Sequence, residues 1–79
     1  RKAAEGGNAP ARRTLGLRFF NGEGVPQDFR RAYYWFNLAA ADGDREAGMW
    51  RDCVLPRLSH EDVAEIQDRI RTADRSTEH

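Results

Sequence analysis

Apolar positions recur at helical spacing along the chain. Ala11, Leu15 and Phe19 stand at i, i+4 and i+8, one face of a helix that Pro10 can open in its first turn. Asn21-Gly22-Glu23-Gly24 ends that helix, because glycine and asparagine accept the positive φ of a helix C-terminus. Pro26-Gln27-Asp28 reads as a turn followed by an N-cap. The next helix is expected over Phe29–Asp42, with Ala32, Trp35, Phe36, Ala39 and Ala40 on one side and Gly43 as its stop. A third runs from Asp44 to about Leu55, before Pro56, with Ala47, Trp50, Val54 and Leu58 at helical spacing. Ser59 caps a fourth, Asp62 completes a capping-box-like pair, and Val63, Ile66, Ile70 and Ala73 form one narrow stripe. The tail Arg75–His79 is expected to fray. No segment alternates apolar with polar residues, so the chain is expected to be all-α, with four helices.

Comparing the chain with itself adds a period. Ala3–Ala11 aligns with Ala39–Ala47 at an offset of 36, with four of nine residues identical. That period falls in the range of two-helix repeats. The stretch Ala11-Arg12-Arg13-Thr14-Leu15-Gly16 through Gly22-Glu23-Gly24-Val25-Pro26-Gln27-Asp28 to Ala32-Tyr33-Tyr34-Trp35 and Ala39-Ala40 resembles the Sel-one-like repeat. The family pattern is A-x-x-x-L-G-x-x-Y-x-x-G-x-G-V-x-x-D-x-x-x-A-x-x-W-x-x-x-A-A. Phe19 takes the place of the tyrosine, and the other marked positions all match. Gly16 and Ala32 lack bulk where two helices cross, Gly22 and Gly24 let the chain reverse, and Val25 plugs the end of the pair.

The resemblance implies an α–α superhelix of antiparallel helix pairs, tetratricopeptide-like, with a C-terminal capping helix. It divides the chain into residues 1–8, the tail of a preceding repeat; 9–43, a complete repeat; and 44–79, a final helix plus the cap. The Leu-Gly pair due 36 residues after Leu15-Gly16 is Arg51-Asp52, which marks where regular stacking is expected to end. The chain begins at Arg1, so an excised piece with further repeats on the N-terminal side is expected.

Composition narrows the function. Hydrophobic residues are 39% and charged residues 33%, a globular balance. Basic and acidic side chains cancel at 13 each, although residues 1–35 carry a net +4 and residues 36–79 a net −4. This argues against a nucleic-acid partner, while the asymmetry leaves self-association open. No apolar run reaches the roughly 20 residues that span a bilayer, so no membrane partner is expected. Cys53 is a lone cysteine and His60 and His79 are isolated, so no disulfide, metal site or cofactor is expected. Ser59 reads as a cap, not a nucleophile. The Ser-x-x-Lys pattern is missing, Lys2 being the single lysine, so no catalytic residue is assigned.

The family implies a scaffold for protein–protein contact. Groove-facing positions of the tetratricopeptide pattern, carried over through Leu15-Gly16, fall on Arg13, Leu17 and Phe20, a stripe at i, i+4 and i+7 for a partner peptide or helix. The same stripe also suits packing on a neighbouring repeat. The matching third-helix positions are Met49 and Cys53, expected to lie under the fourth helix. Trp35 and Phe36 are expected in the core, with Tyr33 and Tyr34 partly exposed. A fragment of a repeat-built hydrolase and a self-assembly module are the alternatives.

Overall fold

The computed structural model describes residues 8–76. Within them the chain folds into four α-helices: α1 (Ala9–Asn21), α2 (Phe29–Ala41), α3 (Arg45–Val54) and α4 (His60–Ser76). A short 3-10 turn, Leu55–Arg57, carries Pro56 between α3 and α4. There is no strand among the described residues.

Each helix starts where a side chain satisfies its free amides. Asn8 Oδ1 accepts from the Ala11 N–H at 3.0 Å. Asp28 accepts from Arg30 and Arg31, and Asp44 from Ala47. Ser59 Oγ accepts from the Asp62 N–H at 3.0 Å while the Ser59 N–H donates to Asp62 Oδ2 at 3.4 Å, the expected reciprocal box. α1 ends in a left-handed Gly22, φ +71°, and the Glu23 N–H returns to the Arg18 carbonyl at 2.9 Å, closing the last turn. The connection is then pinned back on α1, with the Asp28 N–H donating to the Phe19 carbonyl and Gln27 Nε2 to that of Phe20.

α2 is the central helix, packed by α1, α3 and α4. It gives the core Ala32, Tyr33, Phe36 and Ala39; Ala9 comes from α1, Ala47 and Val54 from α3, and Ile66 from α4. Gly16 faces Phe36 so closely that only a missing side chain lets α1 and α2 approach. Phe20, Phe29, Phe36 and Trp50 form an aromatic cluster joining α1, α2 and α3, with Trp50 edge-on to Phe20 and stacked on Phe36.

Four expectations change. Tyr33 is core, 2% exposed, and its hydroxyl accepts from Gln67 Nε2 at 3.1 Å. Trp35 is instead half-buried, edge-on to Tyr34 at 5.3 Å. Both follow from α4, which lies against the Tyr33 side of α2. α4 does not cover α3's outer face either: Met49 is 68% exposed, and Cys53 is exposed. Where Gly16 admits α2 onto α1, the equivalent position on α3 is Asp52, whose side chain bars an equally close approach. α4 also runs through Ser76, past the start of the expected fray. The readings for Arg1–Gly7, for the Ala73 side chain and for residues 77–79 fall outside the described residues.

Candidate partner-binding surfaces

Arg13, Leu17 and Phe20 share one face of α1, and all three are half-buried. Helical spacing brings them together, and that face looks toward α3. Arg13 Nη1 donates to both carboxylate oxygens of Asp44, at 3.1 and 2.9 Å, and lies 3.2 Å from Glu46. Asp44 is therefore used twice, capping α3 through Ala47 and holding α1 through Arg13. Its side chain is only 6% exposed, so this pair is partly shielded from water. Next to it, Arg12 reaches Asp42 at 2.8 Å. Leu17 and Phe20 pack against the core, Phe20 with its ring 5.5 Å from that of Trp50. The stripe thus binds α1 to α3 with part of its surface and leaves the rest accessible. Met49 stands out on α3 as the large hydrophobic side chain left exposed among the described residues.

A second surface lies across α2. Leu15 and Phe19 of α1, Tyr34 and Trp35 of α2 and Ile66 of α4 line an open groove of about 920 Å³. Arg31 and Arg69 stand at its edges, with the Arg31 guanidinium 5.7 Å from the centre of the Phe19 ring. Sequence periodicity marked Leu15, Phe19 and Trp35 as core and so missed this surface. The position of α4 was the missing information, and a polar, one-faced helix does not announce which neighbour it will choose.

The chemistry-bearing residues are dispersed. Among the described residues no group of three or more His, Cys, Asp or Glu side chains is placed to hold a metal ion. Ser59 has its hydroxyl in the α4 cap, and His60 is exposed in that helix's first turn. No helix among the described residues is long and apolar enough to cross a membrane.

No curated protein and no solved structure matches the chain. A family model does: the Sel1 repeat, over residues 9–44, from the first residue of α1 to the cap of α3. The bounds coincide with the helix pair whose Gly16–Phe36 contact and Gly22 reversal are described above, in an all-α, tetratricopeptide-like setting. Over residues 9–44 the chain carries a Sel1 repeat.

Proposed function

We propose that the chain works as a protein-interaction module whose contact face is formed by α1 and α3, with no catalysis by this segment. Sel1 repeats generally serve protein–protein interaction. The observation that carries the finer reading is the exposed Met49 on α3, on the helix to which Arg13 clamps α1. A flexible thioether suits a surface that must adapt to a partner. Arg13, Leu17 and Phe20 supply the α1 side, where a peptide or short helix would lie along both helices. In this reading residues 9–43 are one full repeat, and α3 with α4 is an atypical unit in place of a second. The position of Asp52 and the packing of α4 on α2 support that division.

The test is selection of binders from a random peptide library on the immobilised chain. Selected peptides should lose about tenfold or more in affinity on Met49→Lys and keep it on Arg69→Glu, which lies on α4. Peptides indifferent to Met49→Lys and to Leu17→Gln would reject the face.

A further inference from the structure

We propose that the groove between α1 and α4 is a second docking site, and that it takes an acidic amphipathic helix. The site is independent of the α1–α3 face.

Its floor is apolar and mostly aromatic: Leu15, Phe19, Tyr34, Trp35 and Ile66. None of these side chains except Ile66 is fully buried, so an apolar partner gains by covering them. The edges decide the partner's charge. Two carboxylates lie on the lining and both are engaged: Asp28 accepts from the Arg30 and Arg31 amides at the start of α2, and Asp68 pairs with Arg71 at 2.9 Å. Arg30 is held by Glu65 at 2.6 Å. Two cations keep donors to offer. Arg31 is largely exposed, its Nε 3.5 Å from Asp28 and its guanidinium beside the Phe19 ring. Arg69, on α4, pairs with no acid among the described residues. Two guanidinium groups beside an apolar floor complement carboxylates flanking an apolar stripe. Arginine and tryptophan together are the side chains that most often carry binding energy at protein contacts. The aliphatic share of the floor and the small number of cations around it favour a peptide over a nucleic acid, which would need a denser basic surface.

The probe is a blocked helical peptide with leucines at i, i+3, i+4 and i+7 and glutamates beside them. A glutamine-for-glutamate analogue and a single-stranded oligonucleotide serve as comparisons. Binding is read from NMR shifts of the Leu15 and Ile66 methyl groups and of the Trp35 indole N–H. The acidic peptide should move these signals and leave Met49 unmoved. The glutamine analogue, or an Arg31→Glu/Arg69→Glu chain whose circular dichroism is unchanged, should bind about tenfold or more weakly. No shift at about 1 mM peptide, equal binding of both peptides, or preferential binding of the oligonucleotide overturns the proposal. So does concentration-dependent sedimentation of the chain alone that Trp35→Glu abolishes, which would make a second copy the occupant. These outcomes bear on the groove alone; the α1–α3 reading stands or falls separately, on whether library-selected peptides lose affinity on Met49→Lys.

Discussion

A side chain on Gly16 would begin 2.5 Å from the ring of Phe36, a residue with no exposed surface. Two buried groups occupy that crossing and neither can withdraw. Gly16→Ala is therefore expected to destabilise by about 1–3 kcal/mol through overpacking, even though alanine is the better helix former. Urea denaturation measures this. Combining it with Phe36→Leu should recover part of the loss; additive losses would mean the strain lies elsewhere.

Arg13 and Asp44 should behave as a coupled pair. Asp44→Ala removes both the α3 cap and the anchor of α1, and should cost about 1–2 kcal/mol. Arg13→Ala alone should cost less, because the cap survives. In a double-mutant cycle the two losses should be less than additive, by on the order of 1 kcal/mol, and this coupling should shrink at about 1 M salt. A coupling near zero at low salt would show that Arg13 prefers solvent.

Neighbouring aromatics on α2 should rank in an order that their spacing alone does not suggest. Tyr33→Ala should cost about 3–5 kcal/mol, as for a large core side chain, and Trp35→Ala clearly less, since Trp35 is half-buried. Tyr33→Phe isolates the hydroxyl bond to Gln67, worth about 1 kcal/mol. Thermal unfolding of the three variants checks the ranking, and a larger loss at Trp35 would contradict the placement of α4.

Cys53 offers a direct test of α3's uncovered face. An exposed thiol should react with a thiol reagent at the same rate in buffer as in a short unfolded peptide of the same sequence, within about threefold. Strong protection in buffer, lost in denaturant, would mean that α4 packs over α3.

Much of this molecule was legible from local rules. The caps at Asp28 and Ser59, the reversal at Gly22 and the Gly16 crossing each follow from what one residue type can do at one place, and each is present. What periodicity could not settle was the choice between two faces of an aromatic-rich helix. Tyr33, Trp35 and Phe36 spread around α2, and their burial depends on where α4 settles. Arg51-Asp52 in place of Leu-Gly marked the end of regular stacking, but α4 was still expected over Met49 and Cys53, and nothing local said that Tyr33 would receive it instead. The stripe of Arg13, Leu17 and Phe20 was found by analogy, and the part of it that grips α3 was hidden until the Asp44 cap was seen to have a second partner.

Arg12 and Arg13 grip acids on either side of Gly43, a residue whose φ of +101° frees the chain to bend there. The joint between a repeat and the helix that follows is in this way partly stitched by charge. These contact pairs, at 2.8 and 2.9 Å, lie well inside the screening length of about 10 Å at 0.1 M salt and weaken only toward about 1 M, where that length falls to about 3 Å. A rod strung on such joints would be stiff in dilute solution and more compliant in brine, a spring whose constant is set by the ions around it.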